Sequence, residues 1–526
     1  MFSLISEPWL PVLNNAGQRK KISPLQLADD AIIELDWPRA DFQGAAYQLL
    51  IGMLQIACAP QDEEEWQTIW EEGLDPEKLR QGLNAIAPAM QFGKQKPSFL
   101  QDYSSLEVDN SSISGLLIDA PGGNALKLNK DHFVKRSSYI RFCPHCTAMA
   151  LYTVQTNSPA AGAGFRTSMR GGGPITTLVM PQEQNQPLWK KLWLNIIPQR
   201  VSLESSQYPL VFPWLIPTLS SESAANKVTP DNAHPLQAYW GMPRRLEIDF
   251  STTESGECDL CGEPHSDLLT QIRSKNYGVQ YEGWLHPLSP YRKPLKDVTS
   301  PWLAVKGQSG GLAYKDWLGL MVESEDRFNY LKMAEVVRIH GDRDDVDIKT
   351  GLWCFGYDMD NAKARCWYEH RLPLSLIPLS MLRLMESVLR QSIELATSSL
   401  PLLRQALKEA WFENPKEAKG DFSLVDIAFW QQTERDFRHL WLALMKHPDP
   451  IAPESRSALR RWISDIEHYL FSTFDRQAFT NPEESNDLHR ILTARKKLAK
   501  EFNKQKILNL LRELSIERKE KVDVQK

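Results

Sequence analysis

Two Cys-x-x-Cys pairs constrain this chain more than any other feature: Cys143 with Cys146, and Cys258 with Cys261. Two residues between thiolates let both sulfurs face one ion, and two such pairs complete a tetrahedron at Zn–S distances of ~2.3 Å. One pair alone would fit a redox motif. Two pairs in one chain predict a four-cysteine zinc site, against the plainer alternative of unrelated buried cysteines or a disulfide pair. Four thiolates leave no open coordination position, so the expected Zn2+ is structural. Such an ion pins together segments separated by residues 147–257, and it brings the following stretches, 156–173 and 270–292, near one another. His145 and His265 are spare ligands that four sulfurs make unnecessary. Cys58, Cys354 and Cys366 lack ligand spacing and read as isolated core cysteines.

At 526 residues the chain is too long for one ordinary core, which predicts two or three domains. Hydrophobic residues at 42% and charged residues at 24% suit a globular protein. The net charge of −5 argues against a free-standing nucleic-acid coat protein and leaves room only for a local basic face. The 17 Trp supply either buried platforms or broad contact surfaces. No apolar run approaches the ~20 residues that span a bilayer, and the opening MFSLISEPWLPV lacks a secretory pattern. Seven cysteines in this length are no disulfide framework, so a cytoplasmic setting without membrane contact is expected.

Texture divides the chain. Residues 2–33 read as short strands and turns. A helix over residues 41–57 follows, with Asp41 as its cap and Phe42, Ala46, Leu49 and Met53 at helical spacing. Further helices fit residues 62–100. Between 114 and 375, short apolar runs alternate with Gly, Pro and Asn, the pattern of a mixed α/β body with long loops. From 376 onward, residues 381–389, 424–444, 459–471 and 491–514 carry apolar residues at helical spacing, with breaks at Pro401, Pro415, 448–453 and Pro482. The expected fold is α+β: a mixed α/β N-terminal domain, 1–375, holding the four-cysteine zinc site, then a C-terminal four-helix bundle, 376–526.

Three loops have the chemistry to meet nucleic acid. Residues 157–173 are rich in small side chains, and Ala160, Ala161, Gly162, Ala163 and Gly164 would let backbone approach a groove floor. Arg166 and Arg170 flank them as candidate phosphate contacts, though a surface turn has the same composition. No Walker lysine follows the glycines. Lys275, with Arg273 beside it, follows the second cysteine pair and can reach minor-groove acceptors; an ordinary solvated lysine is the alternative. Residues 356–365 read as a hairpin whose tip, Asp360, Asn361 and Ala362, has the size of a wedge between base pairs or of a plain turn. Arg495, Lys496, Lys497 and Lys500 make a basic stretch on the last helix, suited to phosphates or to solvent. No protease, esterase, kinase or nucleotide-binding signature is present. Asp358 and Asp360 leave a magnesium-dependent nuclease as one rival and a zinc-stabilised, protein-only scaffold as another.

Several of these features occur together in one known family. The opening Pro8-Trp9-Leu10-Pro11, the run Asp36-Trp37-Pro38-Arg39, both cysteine pairs, residues 164–172 (GFRTSMRGG), Pro174 with Thr176 and Thr177, and Trp284, His286, Pro287, Ser289 and Pro290 follow one another in order. In this the chain resembles the large-subunit (CasA) family of the type I-E CRISPR surveillance complex, Cascade. The resemblance covers nearly the whole chain and is weakest in the C-terminal helices. It implies a non-enzymatic subunit that recognises the protospacer-adjacent motif (PAM) in double-stranded DNA. Such a subunit helps open the duplex for R-loop formation and recruits the effector helicase-nuclease. The implied partners are the crRNA-bearing backbone, small and guide-end subunits, the target duplex and its displaced strand. By the same resemblance, Ala160 to Gly164 correspond to the family's glycine loop, Lys275 to its minor-groove lysine, and Asp360, Asn361 and Ala362 to its wedge. Asn124 falls in the loop that meets the guide's 5′ end. Ala160 and Ala163 stand where the family pattern has glycine, and Asn361 where it has glutamine.

Overall fold

The computed structural model describes residues 2–122, 126–127, 135, 137–159, 162, 164–199, 203–297, 299–307, 311–325, 329–343, 345–360, 363–372, 379–417, 422–479 and 487–516. The chain divides into two units. One comprises Met1–Gln308 and Glu323–Leu376; the other comprises Ser309–Val322 and Ile377–Lys526.

The first unit is mixed α/β. Its opening sheet runs Arg19–Ile22, Leu10–Asn14, Ile32–Leu35, all antiparallel. Helix Ala40–Ala57 follows, and Phe42, Ala46, Leu49 and Met53 are all buried, as their spacing requires. Asp41 does not cap this helix. The N-cap is Arg39, and Asp41 is buried, bound bidentately by Arg39 and by the Tyr357 hydroxyl at 2.5 Å. Capping would have placed the carboxylate at the helix end, whereas pairing with arginine compensates its burial. Helices Glu63–Glu72 and Pro76–Ile86 are capped by Asp62 and Asp75, whose carboxylates accept from Glu65 and Glu77 N–H.

Among the described residues, five further sheets lie in this unit, three of them with three or more strands. Thr176–Pro181 pairs with Thr350–Asp360, which pairs with Lys363–Leu372 as a long hairpin. Arg245–Ile248 pairs with Gln271–Lys275, which also pairs with Ser111–Ser112. Tyr291–Pro294 lies between Leu303–Ala304 and Asn329–Lys332. Much of the tryptophan serves as core: Trp9, Trp66, Trp70, Trp193, Trp214, Trp240 and Trp353 are all fully buried here.

The second unit is helical: Leu379–Trp411, Ser423–Lys446, Pro453–Gln477, Leu488–Asn503 and Lys506–Ser515. Pro401, expected as a break, lies inside the first of these. An internal proline costs a helix ~3 kcal/mol. Here Leu395, Leu400, Leu403 and Leu407 are buried on either side of it, and each such burial contributes ~1.5–3 kcal/mol, so packing outweighs the lost hydrogen bond. The stretch expected as one last helix is two, interrupted at Lys504 and Gln505. Ser309–Val322, inside the segment expected to be α/β, belongs to this unit. Its Tyr314 stacks on Phe437 at 4.5 Å and hydrogen-bonds Thr433 at 3.0 Å. Its Trp317 sets its edge against Trp441 at 5.8 Å. Among the described residues, no helix is long and apolar enough to cross a membrane.

Candidate metal centre and nucleic-acid face

The first cysteine pair opens a helix. Cys143 is the N-cap of Pro144–Asn157, Pro144 takes the first helical position, and Cys146 follows within the first turn. The Cys146 N–H donates to Cys143 Sγ at 3.4 Å. A thiolate at this end faces unpaired N–H groups and the positive pole of the helix. The second pair occupies the turn between strands Thr253–Glu257 and Pro264–Leu269. That turn closes through Gly262 N–H to Cys258 O at 2.8 Å and Cys258 N–H to Glu263 O at 2.9 Å.

Backbone bonds clasp the two pairs. Cys143 N–H donates to Cys258 Sγ at 3.2 Å. Asp259, between the second pair of cysteines, accepts from Ile140 and Arg141 N–H at 2.8 and 2.9 Å. Phe142 and Leu269 exchange both backbone bonds at 2.9 and 2.8 Å. The four sulfurs all lie within 4.8 Å of one another, and Cys143 Sγ is 3.8 Å from Cys261 Sγ. A tetrahedron with metal–sulfur bonds of ~2.3 Å has edges of ~3.8 Å, so the set fits one four-coordinate ion. Cys143, Cys146 and Cys258 are buried and Cys261 partly so.

The electrostatics agree. Sulfur contacts within the cluster hold the Cys258 thiol well below the ordinary range, lower Cys261 as well, and push Cys143 and Cys146 above it. Four crowded thiols cannot all ionise together without a cation between them. Lys21 adds charge from the opening sheet. Burial disfavours its ammonium, but Glu263 and the nearby Cys143 and Cys261 outweigh that and raise its pKa. His145 is pushed down to about 4, first by burial and then by Lys21 and His265. Neither His145 nor His265 joins the ligand set.

Each pair leads into one of the candidate loops. Helix Pro144–Asn157 is tied to the central strands by Gln155, whose side chain donates to Arg244 O and accepts from Arg244 N–H at 3.0 and 2.9 Å. Past the helix, Arg244 anchors the start of the glycine loop. Its guanidinium bonds Ser158 Oγ and Pro159 O and lies over the Phe165 ring at 5.0 Å. The hairpin bearing the second pair runs into strand Gln271–Lys275, whose last residue, Lys275, is exposed. The loops meet directly, because Tyr277 N–H donates to Gly164 O at 2.7 Å. Ala160, Ala161 and Ala163 lie outside the described residues, while Gly162 and Gly164 both take positive φ.

Several expected phosphate contacts are otherwise engaged. Arg170 is buried, bonding Thr176, Ser289 and Gln48 at 2.8–2.9 Å, and burial pushes its guanidinium down to about 10. It is an internal strut and not a phosphate ligand. Arg166 donates to Ser221 Oγ and O at 2.7 and 3.1 Å, which commits it to the protein. Arg273 lies 3.5 Å from Glu247, which offsets its charge. In the helical unit Arg495 is bidentate to Asp475 at 2.6 and 2.8 Å, and Lys497 pairs with Glu409 at 2.5 Å. Lys496 and Lys500 are exposed.

At the long hairpin, Asp360 and Lys363 are the last paired residues. Asn361 and Ala362, between them, lie outside the described residues, as do Asn124 and the side chain of Asp360. Asp358, first ligand of the nuclease alternative, is buried and held bidentately by Arg365 at 3.1 and 2.6 Å. Among the described residues, the four cysteines are the group of histidine, cysteine and acidic side chains close enough to share an ion. Cys354 is buried as expected, whereas Cys366 is exposed, on the strand that forms the hairpin's outer edge. Sequence alone missed Asp259, Arg244 and Ser221. Asp259 could have been suspected from its place inside a cysteine pair. The other two act on residues far away in sequence and carry no local signal.

The family model described as CRISPR-associated protein Cse1 matches residues 3–471. Among solved structures, CasA (Cse1) of Thermus thermophilus is 18% identical, with 96% of this chain and 99% of that chain covered and a TM-score of 0.65. Cse1 of Thermobifida fusca is 15% identical, with coverages of 98% and 99% and a TM-score of 0.66. A chain of a CRISPR RNA-guided surveillance complex is 13% identical, covers 95% of this chain and 99% of its own length, and has a TM-score of 0.66. At these identities the likeness to the solved structures is one of fold.

Proposed function

The chain belongs to the CRISPR-associated Cse1 family, and on that premise we propose that it is the non-catalytic large subunit of a cytoplasmic, crRNA-guided Cascade complex. In this reading it recognises the PAM in duplex DNA, opens the adjacent base pairs and recruits the helicase-nuclease. One Zn2+ held by Cys143, Cys146, Cys258 and Cys261 neutralises the clustered thiolates and fixes the two reading loops on a common base. The glycine loop, Ala160 to Gly164, and Lys275 enter the minor groove together. Reading there is degenerate, since A·T and T·A present the same acceptors, so several related PAMs are accepted. Asp360, Asn361 and Ala362 then act as a wedge, and Asn124 sits near the guide's 5′ end.

Target identity is left to RNA–DNA pairing, which zips from the opened seed. Opening one or two steps costs ~1.4 kcal/mol each, so the wedge acts only after the PAM is held. With a net charge of −5, the chain relies on the guide-bearing subunits for most phosphate neutralisation. The C-terminal helices, read as a four-helix bundle with a broken last arm, face the small subunits. Their exposed Lys496 and Lys500 are suited to the displaced strand.

The observation that carries this reading is the direct bond between Gly164 and Tyr277, which sets the small-residue loop beside exposed Lys275. Lys275→Ala should weaken PAM-bearing duplex binding by about tenfold, the worth of one good groove contact, and leave assembly of the complex intact. Gel-shift titration at fixed salt measures this, and unchanged affinity defeats the assignment.

A further inference from the structure

We infer that Tyr277 is a positioning residue that sets how sharply the PAM is discriminated, by locking the glycine loop to the lysine-bearing turn; this rests on the reading above. A closed circuit of bonds runs through it. Tyr277 N–H donates to Gly164 O at 2.7 Å, and Tyr277 O accepts from Ser221 N–H at 3.2 Å. Ser221 Oγ donates to Gly278 O at 2.6 Å and accepts from Arg166 Nε at 2.7 Å. From Arg166 the chain returns through Phe165 to Gly164.

Two conformational facts say that this circuit is imposed on the residues. Tyr277 takes φ +62°, a left-handed conformation that a residue with a side chain adopts only where its surroundings dictate it. Gly164 takes φ +81°, and a Cβ there would stand 3.0 Å from Asn276 Cβ and 3.2 Å from the Tyr277 ring. The ring therefore lies on the bare face of Gly164, where any side chain would push loop and turn apart. Tyr277 is nonetheless 38% exposed, so its ring covers the junction from outside and is not part of a core.

Charge supplies affinity wherever Lys275 comes to rest, but reading depends on where it stands relative to the glycine loop. The minor groove is only ~6 Å wide, so a shift of ~1 Å between loop and lysine changes which base edges are met. The circuit and the Tyr277 ring on the bare face of Gly164 together fix that spacing.

The test uses the reconstituted crRNA complex containing the full chain, and target duplexes randomised at the positions flanking the guide-matched sequence. Tyr277→Gly keeps the backbone bonds but takes the ring off the face of Gly164 and frees the turn to leave its left-handed conformation. It should keep affinity for the preferred duplex within about threefold while discrimination against other flanks falls about tenfold. Tyr277→Phe, which retains the ring face and the backbone bonds, should restore the original preference. Wild-type discrimination in Tyr277→Gly overturns the inference. If Lys275→Ala still weakens binding in the same assay, the functional reading survives that result; if it does not, both fall. Should Tyr277→Gly not assemble, Arg166→Ala removes both of its bonds to Ser221, opens the circuit from its far side and must give the same loss of discrimination. A wild-type profile there overturns the inference equally.

Discussion

The two units of this protein are held together by opposite means. The α/β unit fastens remote segments with a few directional groups: four sulfurs within 4.8 Å of one another, and an Asp259 carboxylate accepting two backbone N–H groups. The helical unit is held by distributed burial, and its aromatic centre is completed by Tyr314 and Trp317, which come from Ser309–Val322. Directional fasteners leave marks in sequence, because coordination demands fixed residue types at fixed spacing. Distributed burial tolerates many residues, so it shows only as periodicity and hides which distant segment supplies the last piece.

Removing a fastener should separate the two regimes most sharply. On the proposed Zn2+ reading, Cys258→Ser, or a strong chelator, should strip the ion and destabilise the α/β unit by at least ~4 kcal/mol, since structural zinc sites contribute far more than that to a fold. Metal analysis and the melting of the α/β unit report it, and a helical unit that melted unchanged would sustain the contrast. Trp317→Ala should act the other way, costing ~3–5 kcal/mol in the helical transition while metal content stays constant. Equal movement of both transitions would mean that the units share one cooperative core. The smallest effect belongs to Arg495→Ala. Its partner Asp475 is about as exposed as it is, and such pairs contribute under ~1 kcal/mol. A larger shift in the helical melting curve would show that surface charge holds this unit as much as burial does.

Legibility followed the same division. The ligand set could be read directly, since Cys143, Cys146, Cys258 and Cys261 converge as their spacing demands. So could the helix Ala40–Ala57, although it is buried on nearly every side and not along one face. What could not be read depended on partners far along the chain. Arg170 has the composition of a phosphate contact, yet Gln48, Thr176 and Ser289 close around it and remove it from the surface. Arg166 is taken by Ser221. Pro401 announces a break that neighbouring leucines override. Asp41 looks like a cap and is instead the buried partner of Arg39 and Tyr357. In every case local chemistry suggested a role, and a residue invisible to local chemistry reassigned it.

The ownership of Ser309–Val322 bears on how such proteins can be recombined. A cut at residue 376 looks like a natural seam, but a chimera built there would inherit helices from one parent and the Tyr314–Trp317 plug from the other. The two would have to fit as a key fits a foreign lock. Exchange of the helical part between relatives therefore means transplanting two stretches at once, and the gene must change in both places before either change is tolerated.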